Sequence, residues 1–192
     1  LVEWNLQRDV GMTCGGVVKL FFEAYNVEDW HVVIFGAGHV AQALVRCLSL
    51  LDCRITCIDS RQEWLEKLPV APCLKAIHAL QPESHVDALD SNDFVVCMTM
   101  GHSTDLPILR NIYSQQRKLR YLGVIGSRAK RKVMLRELAE HGIPDEATDS
   151  LRCPVGLPLG TNQPAEIAIS IAAEMLQVRG EPGCGNTGKH GT

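Results

Sequence analysis

The segment Val32-Val33-Ile34-Phe35-Gly36-Ala37-Gly38-His39-Val40-Ala41 constrains this chain more than any other. An apolar run followed by G-x-G-x-x-A reads as a buried strand turning tightly into a helix. In such a unit the first Gly, here Gly36, permits the turn. Gly38 removes a side chain so that backbone N–H groups can approach a phosphate, and Ala41 lets helix and strand pack closely. The helix N-terminus adds unpaired donors and a partial positive charge. A second apolar run, Arg54-Ile55-Thr56-Cys57-Ile58, ends in Asp59. It lies about twenty residues after the glycines, where dinucleotide-binding units place a carboxylate for ribose hydroxyls. A tight turn in a sheet that binds nothing is the plainer alternative.

A length of 192 residues suits one α/β domain with a small appendage. Apolar residues make up 46% and charged residues 21%, an ordinary globular mixture. The net charge of -3 gives no support for nucleic-acid binding, which requires a basic surface. No run reaches the roughly 18 apolar residues of a membrane span, and there is no signal-peptide pattern. We therefore expect no membrane partner and a cytoplasmic location. Leu1 falls where an element is already under way, so we expect a longer N-terminal region ahead of it.

Eight cysteines invite a disulfide or metal reading, but no C-x-x-C pair occurs. Cys57 and Cys97 lie in apolar strand runs and Cys47 in the helix after the glycine turn, as expected of reduced core thiols. Cys14 differs. Met12, Thr13, Gly15 and Gly16 surround it, with no apolar run, so a ligand can reach the thiol. Neighbouring N–H groups can lower its pKa, and soft sulfur suits a soft metal centre. An incidental Cys in a turn is the alternative.

Residues 1–28 read as a separate β-rich piece, with a strand at Val2 to Leu6, a turn at Cys14-Gly15-Gly16 and β-branched character from Val17 to Glu23. The main domain, 29–180, begins its first strand at His31. Its first helix, Val40 to Leu51, carries Val40, Leu44, Val45, Leu48 and Leu51 on one face. Further strands are expected near Lys75 to Leu80, at Phe94 to Thr99 and at Tyr121 to Ile125. A helix with Leu106, Leu109, Ile112 and Tyr113 inward follows the fourth strand. A basic helix, Ala129 to His141, follows the fifth and stops at Gly142 and Pro144. The last helix runs from Pro164 to Arg179, with Gly180 as a left-handed stop. Residues 181–192 are Gly-rich and expected to be disordered. This alternation predicts an α/β, Rossmann-like, doubly wound parallel sheet with a small N-terminal β-rich segment.

Ligands of such sheets bind outside the carboxyl ends of the strands. There the sequence delivers Gly36, Gly38 and His39, then Asp59, Ser60 and Arg61, then Thr99, Gly101, His102 and Asp105, then Gly126, Ser127, Arg128 and Lys130. Four such groups at one edge point to a single anionic ligand. The glycine turn suits a pyrophosphate, Asp59 a ribose or other hydroxylated ring, and Arg61 a phosphate. Arg128 and Lys130 can meet further negative charge, although a solvated helix face explains Lys130, Arg131 and Lys132 as well. His102 is either an acid, base or ligand, or a satisfied loop histidine.

Taken together, the motifs resemble the xanthine dehydrogenase accessory proteins, the XdhC/CoxI family. The resemblance rests on Met12-Thr13-Cys14-Gly15-Gly16, on Gly36-Ala37-Gly38-His39-Val40-Ala41, on Asp59-Ser60-Arg61 and on the run from Tyr121 through Gly126-Ser127-Arg128-Ala129-Lys130. Its most specific parts are Cys153-Pro154-Val155-Gly156-Leu157-Pro158-Leu159-Gly160 and the stretch from Pro164-Ala165-Glu166 to Glu174. The family implies a molybdenum cofactor chaperone, an accessory protein rather than a dehydrogenase. Such a protein binds and protects the pterin–molybdenum cofactor, assists exchange of a molybdenum oxygen for sulfur with a cysteine desulfurase, and serves a xanthine dehydrogenase-type apoenzyme. It also implies a homodimer. By the same resemblance Cys14 becomes the candidate molybdenum contact. Gly36, Gly38, His39, Asp59, Arg61, Thr99, His102, Ser127 and Arg128 become the candidate cofactor-binding residues, whether or not the molybdopterin bears a nucleotide. Two departures stand out. The family carries a segment ahead of Cys-Gly-Gly that would precede Leu1, so we expect this sequence to be a fragment or a reduced variant, and Met100 stands where a second His is expected beside His102.

Two alternatives stay open: an NAD(P)-dependent oxidoreductase, and a non-catalytic NAD or nucleotide sensor. The glycine turn and Asp59 suit both. Against the first, the sequence offers no separate substrate domain and no Tyr-Lys or His-carboxylate constellation for hydride chemistry. Neither accounts for the Cys-Gly-Gly motif or the Cys153 to Glu174 segment.

Overall fold

The chain opens with an antiparallel hairpin, β1 (Val2–Asn5) and β2 (Val17–Leu20), in which Trp4 faces Val18 and Glu3 faces Lys19. The computed structural model describes residues 2–9, 11–13, 15–21 and 30–181. Cys14, and the expected tail beyond residue 181, lie outside the described residues.

Five parallel strands follow: β3 (His31–Phe35), β4 (Arg54–Asp59), β5 (Leu74–His78), β6 (Phe94–Cys97) and β7 (Tyr121–Val124), in the order β5-β4-β3-β6-β7. β3 from Val32 on and β6 throughout carry apolar residues at every position rather than at every second one, because helices cover both faces. On one face Val32, Ile34, Ile55, Cys57, Phe94 and Val96 pack under α1 (His39–Leu48), the short α2 (Gln62–Leu65) and α5 (Pro164–Gly180). On the other, Val33, Phe35, Ile58, Val95, Cys97 and Val124 pack under a 3-10 helix (Pro82–Ala88), α3 (His102–Ser114) and α4 (Arg128–Glu140). Each such side chain contributes roughly 1.5–3 kcal/mol by leaving water. No described helix is long and apolar enough to cross a membrane.

The element order agrees with the sequence reading, and two helix ends differ from it. Helix α1 stops at Leu48 rather than Leu51. The Ser49 hydroxyl donates to the Val45 carbonyl at 2.7 Å, and Leu51 N–H bonds back only three residues, to Leu48. The final turn thus tightens out of α geometry. Helix α5 runs through Gly180, which has no positive φ, so no left-handed glycine ends it. Gly142 does take that role after α4, at φ +81°.

The sheet also has an edge that the strand pattern did not foretell. Residues 151–155 run beside β7, with Arg152 bridged to Gly123. Arg152 N–H donates to the Leu122 carbonyl at 3.0 Å, Val124 N–H to the Arg152 carbonyl at 2.8 Å, and Val155 N–H to the Val124 carbonyl at 3.2 Å. A side chain at 123 would meet Val155 Cγ2 at 2.5 Å, so glycine lets the strap approach. Glu174 of α5 holds the strap down. Its carboxylate accepts from the Tyr121 hydroxyl at 2.6 Å, from Gly156 N–H at 2.9 Å and from Arg152 at 3.1 Å. Burial, reinforced by the adjacent carboxylate, pushes the Tyr121 hydroxyl pKa far up, so it stays a donor.

Glu174→Ala strands the buried Tyr121 hydroxyl and the Gly156 N–H together. We expect a loss of about 3 kcal/mol, read as a lower urea midpoint at unchanged slope. Tyr121→Phe removes one donor and is expected to cost less.

Candidate functional site

The strand order creates the crevice. The chain leaves β3 for β4 and β5 on one side, then crosses to β6 and β7 on the other. The loops after β3 and β6 therefore diverge, and ligands of such sheets bind at that switch point. A cleft of about 210 Å³ opens there. Gly36 forms part of its floor. Asp59, Ser60 and Arg61 line it from β4, Leu80, Pro82 and Glu83 from beyond β5, Thr99 and Met100 from beyond β6, and Ser103, Thr104 and Pro107 from α3. The volume is below the roughly 300–1,000 Å³ of typical small-molecule pockets, so the cleft holds part of a large ligand or the whole of a small one.

Gly36 sits at φ +105°, and a side chain there would run into the Met98 carbonyl. Its N–H donates to the Ile58 carbonyl at 2.7 Å. Around Gly38 the space is open: a Cβ would meet nothing within 4 Å. No side chain caps α1 and its first turn carries no acid, so the N–H groups at that end have no anion of their own. His39 stands exposed with its ring edge-on to Trp64, 5.0 Å between centroids.

Asp59 is only 4% exposed and fully engaged. One carboxylate oxygen accepts from the Arg61 backbone N–H and from Arg61 Nε, both at 2.9 Å. The other accepts from Ala37 N–H and from Arg61 Nη2, both at 2.7 Å. An ionised carboxylate offers about four lone-pair sites, and all are taken here. Burial pushes this carboxyl up, but the bonds from Arg61 and Ala37 outweigh it and hold it below its ordinary value. The Arg61 guanidinium also lies over Trp64, 4.9 Å from the ring centroid. Its Nη1 has no partner among the described residues, and Arg61 lines the cleft.

Of the residues singled out from the sequence, Gly36, Asp59, Arg61 and Thr99 line the cleft, while Gly38 and His39 stand at the start of α1 beside it. The remaining three do not line it. His102 Nε2 lies 2.7 Å from Glu137 of α4. Ser127 caps α4, accepting from Lys130 N–H at 3.2 Å, and Arg128 is exposed at that helix start. Between the two groups runs a buried pair. Lys130 Nζ donates to Asp105 at 2.5 Å and to the Ile125 carbonyl at 2.8 Å. The other Asp105 oxygen accepts from the Thr99 hydroxyl at 2.6 Å. Thr99 is thereby oriented on the cleft wall by a carboxylate that is itself out of reach of solvent. Sequence reasoning did not single out Glu83, Ser103, Thr104 and Pro107, since only the packing of the 3-10 helix against α3 brings them to the rim. Among the described residues no group of three or more His, Cys, Asp or Glu has the geometry to hold a metal ion.

Asp59→Asn tests the tie between the turn and Arg61. We expect about 3 kcal/mol lower stability at neutral pH, measured by urea unfolding. The folded carboxyl lies below its ordinary value of 3.8, so the wild-type advantage is full above pH 3.8. It disappears as pH falls through the lowered value.

Comparison with known proteins follows the same boundaries. The YqeB protein of Escherichia coli (strain K12), described as uncharacterized, is 34% identical over 172 residues, covering 88% of this chain and 31% of YqeB. The molybdenum cofactor insertion chaperone PaoD of the same organism is 30% identical over 103 residues, 54% of this chain and 32% of PaoD. The chain thus spans about a third of the length of these curated relatives. A crystal structure described as a xanthine dehydrogenase from Bacillus halodurans superposes with a TM-score of 0.68 at 29% identity, over 83% of this chain and 45% of that one. The family model for the XdhC Rossmann domain matches residues 32–175, from the second residue of β3 into the last turns of α5. A match of that extent, over a sheet whose crevice has just been described, makes this chain a member of the XdhC family.

Proposed function

We propose that this chain binds the pterin–molybdenum cofactor as cargo in the cleft and takes part in its delivery to a xanthine dehydrogenase-type apoenzyme. The observation that carries this reading is the state of Asp59. In dinucleotide enzymes the acid at this position receives ribose hydroxyls. Here Arg61 and Ala37 fill every acceptor site of that acid. A dinucleotide fold without its ribose acceptor, in a family that includes a protein named as a molybdenum cofactor insertion chaperone, favours the chaperone reading over an NAD(P)-dependent oxidoreductase or an NAD sensor.

The chain's own residues supply what such cargo needs. The open N-terminus of α1 at Gly38 and His39 and the free edge of Arg61 offer donors to an anionic group. Thr99 and Met100 wall off the far side. Cys14 remains the candidate thiol for the molybdenum end. Sulfuration with a cysteine desulfurase, a nucleotide-bearing form of the cofactor and assembly as a homodimer belong to the same proposal.

The chain should be produced in cells with an active molybdenum cofactor pathway and assayed for molybdenum, fluorescent oxidised pterin and NAD(H). We expect pterin and molybdenum near one per chain, with NAD(H) at trace level. Stoichiometric NAD(H) without pterin overturns the proposal. Cys14→Ser is expected to lose molybdenum while keeping the same unfolding midpoint.

A further inference from the structure

The cleft carries charge of both signs on opposite walls. Arg61 caps α2, whose Leu65 packs on the α1/α5 face of the sheet. Glu83 begins the 3-10 helix, whose Val86 packs on the α3/α4 face. The two residues enter the cleft from its two sides, and among the described residues Asp59 is the only other charged one lining it. Asp59 is neutralised by Arg61, to which it is bound in bidentate fashion. Glu83 is half-buried, and its carboxylate has no hydrogen-bond or ion-pair partner among the described residues; only its backbone carbonyl is used, by Asn111. A half-buried carboxylate without a protein donor gains from meeting one, and Glu83 is free to accept from a ligand in the cleft.

Resting on the cofactor reading above, we propose that the cleft reads a pterin by its two ends, Glu83 taking the N–H edge of the ring and Arg61 the terminal phosphate. The 2-amino-4-oxopyrimidine half of a pterin presents two adjacent N–H donors, at N3 and the 2-amino group. That pair matches a carboxylate as a guanidinium edge does. A phosphate monoester at the other end matches the unused edge of Arg61, whose Nε and Nη2 are already spent on Asp59. Asp59 is then a positioning residue: it holds the guanidinium flat and aimed, with the Trp64 ring behind it. A cleft of about 210 Å³ has room for one bicyclic ring with a short phosphorylated arm, and any further part of a larger cofactor lies outside it. The arrangement also selects against ligands carrying acceptors at the ring edge, which Glu83 repels.

The test uses the full chain and three probes: 6-hydroxymethylpterin, its phosphate monoester and inorganic phosphate, followed by pterin fluorescence and by calorimetry. The phosphate ester should bind about tenfold more tightly than the unphosphorylated pterin. Glu83→Gln should weaken both pterins about tenfold while leaving inorganic phosphate and the unfolding midpoint unchanged, because the side chain holds nothing in place. Arg61→Lys should weaken the ester and inorganic phosphate but not the unphosphorylated pterin. If Glu83→Gln binds both pterins as tightly as the unmodified chain, or the ester gains nothing over the free pterin, the two-ended reading is wrong. If the unmodified chain binds neither pterin and carries none from cells, the cofactor reading falls first and takes this inference with it.

Discussion

The carboxylate of Asp59 is the interaction on which the site depends. It closes the turn after β3 through Ala37, starts α2 through the Arg61 backbone, and sets the Arg61 side chain against Trp64. The turn after β3 is thereby joined, across more than twenty residues, to the segment that starts α2 at one buried anion. Its four donors leave the charge compensated, and that is why it tolerates burial. The same engagement changes what the crevice can recognise. The acid is spent on structure, and the guanidinium it holds lines the cleft.

Two further buried carboxylates hold the other side of the sheet in the same manner. Asp105 ties the wall of the cleft at Thr99 to Lys130 and the loop after β7. Glu174 ties the strap at 152–156 to Tyr121 and α5. The Cys-Pro-Val-Gly segment and the last helix, which the family resemblance marks most strongly, thus meet at one side chain. Their first role is to complete the sheet edge beside β7, where an unpaired strand would otherwise expose its donors and acceptors. Specificity of this kind comes from satisfaction of every partner, since removing one leaves the others buried and unmet.

Most of the architecture was legible because parallel strands covered on both faces must be apolar throughout, and β3, β4, β6 and β7 are short, apolar and bounded by turn residues. The helix ends were less legible. Ser49 and Gly180 act through local bonding that competes with simple propensity, and a serine bonding back to Val45 or a glycine inside the last turn has no distinctive pattern. The strap beside β7 was hidden because Leu151 to Val155 has prolines and glycines around it and pairs with a strand only in the folded sheet.

What the sequence determined by itself was a doubly wound sheet with a glycine turn at Gly36, and hence a crevice at the carboxyl ends of β3, β4 and β6. Periodicity and turn chemistry are local properties, and they suffice for that. Which groups face the crevice was decided only by tertiary structure. Asp59 is taken up by Arg61 and Ala37, Glu83 lines the cleft beside them, His102 bonds Glu137 of α4, and Arg128 stands exposed at the start of that helix outside the cleft. Hydrogen bonds between residues far apart in the chain settle how each side chain is used. Their geometry exists only once the helices have packed on both faces of the sheet.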